Sequence, residues 1–368
     1  MRCRPRRVRP QDGDMDTLKT DEFDREPATR SHAAQQPDGR EAVPRAPDEP
    51  DPATRVPEPR DPEVRERSDD NHDDPAIGTL STGEERDAIK RAGPRPQVVY
   101  ASISARGLEE INRPAVSLFG SGVAAGLILM MSVIGEGLII HELPDFQGRA
   151  LIGDIGYTFG FLIVILGRLQ LFTENTITPV LPLLANPTKR AFVRTGRLWA
   201  VVFAANMVGV MLAAVLLSWG DIVTDVQFAS IMEVAGKVTA HTPFETLRYG
   251  VIAGVLIAAI VWCIPTAKGS EFFLVFAATY LIALGDFTHV VAGAGEGFLL
   301  LLEGQVSPAW VVFGLILPAF VGNVLGGTVL FATLAYVQVM EEIAQARRRR
   351  EGTTVAPPDL TQPRRLPS

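Results

Sequence analysis

Six hydrophobic stretches, separated by polar segments, follow one another between residues 115 and 339. They cover roughly residues 115–140, 153–171, 198–219, 248–265, 272–302 and 309–339. A transmembrane helix needs about 20 mainly apolar residues, and each stretch approaches or exceeds that length. The pattern predicts an all-α polytopic membrane protein with six transmembrane helices.

Two of these stretches are interrupted. In the fifth, the apolar run 272–284 is too short to cross a bilayer, and a glycine-rich segment containing His289 follows it. In the second, the segment 171–179 carries hydroxyl and amide side chains and ends in a proline, which stops or kinks a helix. Non-helical backbone at membrane depth survives only beside protein or a water-filled cavity. The two breaks are therefore predicted to line a transport path.

The first three stretches resemble the last three, which indicates an internal repeat. The matches keep the same order and are Gly122–Gly126 with Gly250–Gly254, Phe172–Thr173 with Phe287–Thr288, and Asn206–Gly209 with Asn323–Gly326. Because each half has an odd number of spans, the halves are expected to form a 3+3 inverted repeat. Such repeats place the permeation site at the midplane between two broken helices, here helices 2 and 5.

Charge predicts the orientation of the spans. The segment 186–197, between the second and third stretches, is strongly basic, and Arg347–Arg350 follows the last stretch. Basic loops stay on the cytoplasmic side, so both termini are predicted to be cytoplasmic. The expected location is the bacterial cytoplasmic (inner) membrane, which the chain would cross several times.

Composition divides the chain into three parts. Residues 1–104 are rich in charge and proline and poor in apolar residues, so they are predicted to be a disordered cytoplasmic tail. Residues 105–342 are predicted to be the six-helix transport domain, with a short amphipathic helix expected within 83–113. Residues 343–368 are predicted to be a basic, disordered cytoplasmic tail.

The motifs of several other protein classes are missing from the chain. There is no His-Glu-x-x-His metal helix and no Gly-x-Ser-x-Gly elbow, and the two cysteines make no disulfide framework. We therefore expect no enzyme activity, no metal site, no cofactor and no nucleic-acid partner. Two alternatives remain open: an aquaporin-like channel for a small neutral solute, although Asn-Pro-Ala boxes are missing, and a non-transporting membrane scaffold.

Three motifs resemble the signatures of the formate/nitrite transporter family: Leu171–Asn175, Asp286–His289 and Gly322–Gly327. The resemblance covers about residues 105 to 340. It implies an aquaporin-like fold assembled as a homopentamer in the lipid bilayer, with one pore per protomer. Members of the family pass small monovalent anions or their acids, such as formate, nitrite, hydrosulfide or lactate.

The resemblance also implies roles for residues in the two breaks. Thr173 corresponds to the threonine of the loop in the second helix, and His289 to the histidine that faces it across the pore. Leu171 and Phe172 correspond to positions near an apolar constriction. Phe287 flanks the histidine on the other side.

The charged residues near the breaks follow the family pattern less closely. Lys237 corresponds to a lysine that lends the site a positive field, whereas Thr288 stands where many members have an acidic residue. A charge at the midplane costs about 2.5–3.5 kcal/mol, so Arg168 should have a partner. Asp286 is the partner that we expect, with Glu174 as the alternative.

The polar residues outside the motifs are expected to have structural or solvent-facing roles. Asn175, Asn206 and Asn323 should bridge the backbone of the breaks to neighbouring helices, although Asn175 also stands among the pore candidates. Glu136 is expected at a membrane interface, and Glu296 at a solvated end of a loop.

Two mechanisms fit this site. An anion stripped of water would be neutralised by a proton at or near His289, which titrates near neutral pH, and would cross as the acid. Alternatively, a neutral His289 bonds to backbone and orients Thr173, whose hydroxyl donates to the anion or caps the broken helix. Both a channel and a proton-coupled transporter fit the sequence.

Overall fold

The computed structural model describes residues 81, 83–84, 87–88 and 93–352; the predictions for residues 1–80 and 353–368 lie outside this part. The α-helices from residue 93 onward are α1 (Pro96–Asn112), α2 (Ala115–Glu142), α3 (Arg149–Leu166), α4 (Val180–Ala185), α5 (Lys189–Trp219), α6 (Asp225–Gly236), α7 (Pro243–Cys263), α8 (Glu271–Leu284), α9 (Val290–Leu302), α10 (Leu317–Val324) and α11 (Thr333–Gly352). Short 3-10 turns occupy Glu174–Thr176, Lys237–Ala240 and Ile264–Thr266, and π-helical segments occupy Trp310–Ile316 and Leu325–Ala332.

Five helices of the described chain are long and apolar enough to cross a membrane. They are Ala115–Glu142, Arg149–Leu166, Lys189–Trp219, Pro243–Thr266 and Trp310–Gln345. The fifth predicted span is instead made of two shorter apolar helices, α8 and α9, on either side of residues 285–289. An α-helix rises 1.5 Å per residue, so neither half alone would reach across the roughly 30 Å hydrocarbon core. The all-α membrane architecture with a broken fifth span is confirmed.

The helices before the two breaks, α3 and α8, end with the same backbone geometry. Each passes through a glycine into a residue with positive φ, Arg168 at 53° and Asp286 at 49°. The N–H of Arg168 reaches back to the carbonyl of Ile165, and that of Asp286 to the carbonyl of Ala283. This is the Schellman arrangement, in which a left-handed residue satisfies the last carbonyls of a helix. A non-glycine residue in this conformation is strained, so the end of each helix costs some conformational free energy.

Two asparagines tie the breaks to the rest of the bundle through matching hydrogen bonds. Asn206 of α5 donates to the carbonyls of Gly122 (2.8 Å) and Gln170 (2.9 Å) and accepts from the N–H of Phe172 (2.9 Å). These bonds satisfy backbone groups that a broken helix leaves free at membrane depth. The bridging role predicted for this residue is confirmed.

Asn323 of α10 makes the same three contacts in the second half of the chain. It donates to the carbonyls of Gly250 (2.8 Å) and Thr288 (2.9 Å) and accepts from the N–H of Val290 (2.9 Å). Backbone groups of Asn206 and Asn323 also lie against Gly126 and Gly254, where a Cβ would overlap them. The repeat is therefore visible in hydrogen bonds as well as in sequence, while the opposite orientation of its halves stays a prediction.

One alignment within the repeat needs correction. The asparagine contacts pair Gln170 with Thr288 and Phe172 with Val290. The match of Phe172–Thr173 with Phe287–Thr288 is thus three residues out of register, because it relied on a shared dipeptide that the fold does not superpose. In the corrected register, His289 is the counterpart of Leu171.

Helix α1 packs on the break in the second span and forms part of the folded unit. Tyr100 donates its hydroxyl to the carbonyl of Leu181 (2.8 Å), and Arg106 forms an ion pair with the buried Glu174 (3.3 Å). The helix begins at Pro96, inside the segment predicted to be a disordered tail, and fits the amphipathic helix expected within 83–113. At the other end, α11 continues to Gly352, so the segment after residue 342 is helical over its first turns.

Candidate functional site

The two breaks meet at a direct contact between Thr173 and His289. The threonine Oγ1 and the histidine Nε2 lie 2.7 Å apart, and both side chains are buried. His289 is the N-cap of α9, and its Nδ1 accepts the N–H of Ala292 at 3.3 Å. Contacts therefore fix the ring at both nitrogens: Nδ1 faces the first turn of α9, and Nε2 faces Thr173 in the opposite break.

These contacts define the tautomer of His289. A nitrogen that accepts a backbone N–H carries no proton, so in the neutral ring the proton lies on Nε2. Nε2–H then donates to the Oγ1 of Thr173, which leaves the hydroxyl proton of Thr173 available for another acceptor. The histidine thus orients the threonine, and the hydroxyl proton of the threonine is the free hydrogen-bond donor.

The same geometry disfavours a charged histidine. A proton on Nδ1 would point at the N–H of Ala292 and would break the cap of α9. The positive end of the helix dipole lies at this terminus and also opposes an imidazolium. Of the two roles expected for His289, the structure thus favours the neutral, orienting one.

Apolar and aromatic side chains surround this pair. The rings of Phe161 from α3 and His289 meet edge to face with centroids 4.8 Å apart, and Leu171, two residues before Thr173, is fully buried. Phe172 instead stacks on Phe320 at 5.0 Å. The aromatic residue in contact with the histidine is therefore Phe161, which no sequence motif indicated.

A small cavity of about 50 Å³ that is open to solvent reaches His289. We call it the Lys237 vestibule, and the titratable residues that line it are Glu136, Tyr157, Lys237, His241, Asp286, His289 and Glu296. The predicted site residues Phe287 and Thr288 line it too, next to the histidine. The vestibule therefore reaches one member of the buried pair, the histidine.

Lys237 does not supply a free positive charge to this vestibule. Its Nζ lies 2.6 Å from a carboxylate oxygen of Glu136 and 3.7 Å from one of Asp154, and both acidic side chains are buried. Burial lowers the pKa of the lysine, but the attraction of Glu136, its hydrogen bond and the attraction of Asp154 outweigh that and raise the pKa above its ordinary value. Lys237 therefore stays charged, and nearby carboxylates neutralise its field.

Arg168 and Asp286 do not form the expected ion pair. Both side chains are exposed, and no ion pair joins Arg168 to Asp286 or to Glu174. The two residues hold equivalent left-handed positions in separate halves of the repeat, which explains why they do not meet. Asp286 lies instead at the Lys237 vestibule, and Glu174 is paired with Arg106.

Asn175 is occupied within its own break. Its amide donates to Gln170 Oε1 (3.1 Å) and to the carbonyl of Leu171 (3.3 Å), and it accepts from the hydroxyl of Thr178 (3.2 Å). Trp199 donates to its backbone carbonyl at 2.8 Å. With its polar atoms used in this way, Asn175 stabilises the loop that carries Thr173.

The acidic side of the vestibule differs from what the sequence predicts. Glu136 is buried against Lys237 rather than placed at an interface, and Glu296 is buried inside α9 rather than exposed at a loop end. Asp154, 3.7 Å from the Nζ of Lys237, is a further acidic residue that no sequence motif indicated. The signal was present in the sequence, because each of these carboxyls lies within or beside an apolar stretch, where an ionisable residue needs a specific reason.

The chain is similar in sequence to known membrane proteins. The sequence model of the family described as "Formate/nitrite transporter" matches residues 97–337. Inner membrane protein YfdC of Escherichia coli (strain K12) is 35% identical over 254 residues, which cover 69% of this chain and 82% of that protein. The family consists of transporters and channels.

Two solved structures share the fold. A structure described as an FNT family ion channel aligns with a TM-score of 0.58 at 21% identity and covers 66% of this chain and 99% of its own. A second, described as a pentameric formate channel with formate bound, aligns with a TM-score of 0.51 at 17% identity and covers 61% and 98%. The family match over most of the membrane domain and the fold of broken helices lead to one conclusion: this membrane protein belongs to the formate/nitrite transporter family.

Proposed function

We propose that this protein passes a small monovalent anion of the formate or nitrite kind, or its conjugate weak acid, across the membrane. The observation that carries the proposal is the Thr173–His289 contact, which lies where the two breaks meet and where the Lys237 vestibule ends. Family membership supports the same substrate class.

Within this proposal, Thr173 is the donor that the permeant meets at the narrowest point. Nε2–H of His289 occupies one lone pair of the hydroxyl oxygen, so the hydroxyl proton turns towards the passing solute. Phe161 and Leu171 keep the surroundings apolar, which makes a free ion costly to hold there. A permeant that crosses as the neutral acid avoids that cost, and the hydroxyl still gives it one hydrogen bond.

We further propose a homopentamer in the bacterial inner membrane with both termini in the cytoplasm. The name of the relative YfdC places that protein in an inner membrane, and one of the structures with this fold is described as pentameric. Exposed apolar side chains on the described helices, among them Phe159, Ile163 and Leu166 of α3, suit contacts with lipid or with neighbouring protomers.

Flux measurements on the full-length protein in proteoliposomes test the proposal. Uptake of formate, nitrite and hydrosulfide should exceed that of glycerol and urea. His289→Asn is a suitable second arm, because asparagine still caps α9 but is too short to hold Thr173; we expect slower uptake from a protein of normal stability.

Three outcomes would contradict the proposal in different ways. Faster flux of glycerol or urea would indicate a neutral-solute channel. Absence of flux for every solute would favour a scaffold without transport activity. Unchanged uptake by His289→Asn from pH 5 to pH 8 would remove the histidine from the pore mechanism.

A further inference from the structure

Glu296 is a buried carboxyl that the proposed pore mechanism leaves unused. Its residue is only 8% exposed, it lines the Lys237 vestibule, and it forms no hydrogen bond or ion pair with the described residues. It lies seven residues after His289 on α9, so the two share a helix face about 10 Å apart along the axis. Gly293 lies between them on that face and lines the vestibule without a side chain to obstruct it.

The charges that face Glu296 offer it no cation. Lys237 is already bound to Glu136 and lies near Asp154, while Asp286 adds a further carboxyl at the vestibule. Tyr157 and His241 line the same cavity, and α6 contributes only Val234 among the lining residues. Lys237 is therefore already paired with other carboxyl groups and does not provide a cation for Glu296.

An ionised carboxylate in this position would be costly. Removing a charge from water without a paired cation or hydrogen bonds carries a penalty so large that the group takes up a proton instead. The neighbouring Glu136 and Asp286 act in the same direction, because like charges oppose a further negative charge. Glu296 is thus held as a neutral acid that remains in contact with vestibule water.

We infer that Glu296 is the group that gives a proton to the anion entering through the Lys237 vestibule. The inference rests on the proposed function, since it requires a weak-acid permeant. In the transfer, the O–H bond of the Glu296 carboxyl breaks, a new O–H or S–H bond forms on the anion, and the neutral acid moves on towards Thr173. Vestibule water then returns a proton to the Glu296 carboxylate, so one proton enters with each anion and the protein ends unchanged.

The acidic surroundings make this transfer favourable for the anion as well. The carboxylates of Glu136, Asp154 and Asp286 outnumber the one ammonium group, so an anion in the vestibule is destabilised and binds a proton more strongly than it does in water. The permeant and Glu296 therefore compete for a proton under similar conditions. An anion that fails to acquire the proton is repelled back to bulk water.

Glu296→Gln provides the test, because glutamine keeps the shape and a hydrogen-bond donor but has no proton to transfer. Without the donor, uptake should follow the free acid in solution and fall about tenfold for each unit of rising pH. The wild type should fall less steeply, so we expect uptake within about twofold of wild type at pH 5 and at least about tenfold below it at pH 7.5. The measurement is radiolabelled formate uptake by proteoliposomes containing the full-length protein, with internal pH recorded in parallel.

Two further variants sharpen the test. Glu303→Gln makes the same chemical change at the exposed end of the same helix and should keep the wild-type pH profile. Glu296→Asp keeps a transferable proton and should recover part of the uptake at pH 7.5.

The possible results separate the two proposals. A wild type that carries no weak acid would overturn the proposed function, whereas an active wild type with an identical pH profile in Glu296→Gln would overturn only the inference. A Glu296→Gln variant that is slowed equally at every pH, or no recovery in Glu296→Asp, would show a structural role and would also overturn it.

Discussion

Thr173→Val tests whether the hydroxyl at the meeting point of the two breaks acts on the permeant. Valine has nearly the same shape but can neither donate to the solute nor accept from Nε2 of His289, which lies 2.7 Å away in the wild type. A hydrogen bond to a charged group contributes about 1.5–3 kcal/mol, and a neutral one about 0.5–1.5 kcal/mol. Each 1.4 kcal/mol is about tenfold in rate, so we expect uptake roughly 10- to 150-fold slower if the anion is bound there, and about 2- to 12-fold slower if the acid is.

The assay is initial formate uptake by proteoliposomes at fixed protein density, with thermal stability and oligomeric state of the purified variant measured alongside. Thr173→Ser is the matched control, because it retains the hydroxyl and should stay within about threefold of wild type. Uptake by Thr173→Val within twofold of wild type, from a folded protein, would refute the donor role. Equal losses in the serine and valine variants would indicate that the methyl group, and hence packing, is what matters.

The remaining predictions concern the contacts that hold the breaks in place. Asn206→Ala and Asn323→Ala should each lower the free energy of unfolding by about 2–5 kcal/mol, because each removes three buried hydrogen bonds worth about 0.6–1.7 kcal/mol apiece in membrane proteins. Unfolding of the purified protein measures this loss. A loss below about 0.5 kcal/mol in either variant would contradict the prediction. Arg106→Gln should loosen α1 by about 1–3 kcal/mol, since it leaves Glu174 buried without its partner while the arginine itself is partly exposed. Hydrogen exchange of α1 checks this, and the Arg106→Gln/Glu174→Gln double variant should regain most of the protection.

The architecture could be predicted because its signals are local or repeated. Apolar length predicts the long helices, and proline or glycine interruptions predict the breaks. Asn206 and Asn323 were predictable as bridges, since a buried amide in an apolar helix must find partners and a broken helix supplies them. The resemblance brought Thr173 and His289 together, and the structure places their side chains in contact.

The register and the charge pairs could not be predicted, because they depend on contacts between distant segments. Phe172–Thr173 and Phe287–Thr288 share letters, but helix termination at Arg168 and Asp286 sets a different register. Likewise, hydropathy does not reveal that Lys237 meets Glu136, a residue 101 positions away. Sequence alone therefore favoured a positive vestibule, whereas the packing of α2 and α3 brings two carboxylates to the lysine.

The corrected register shows that a symmetric scaffold carries asymmetric chemistry. His289 corresponds to Leu171, and Asp286 corresponds to Arg168, so the histidine and the acidic residue at the break belong to the second half of the repeat only. A passive pore cannot drive net flow in one direction by such asymmetry, because the gradients alone determine the direction. In the proton transfer proposed for Glu296, the asymmetry instead makes protonation of the permeant depend on the pH on the vestibule's side of the membrane. The two halves thus hold their breaks by the same asparagine contacts, while the histidine comes from the second half and the threonine it contacts comes from the first.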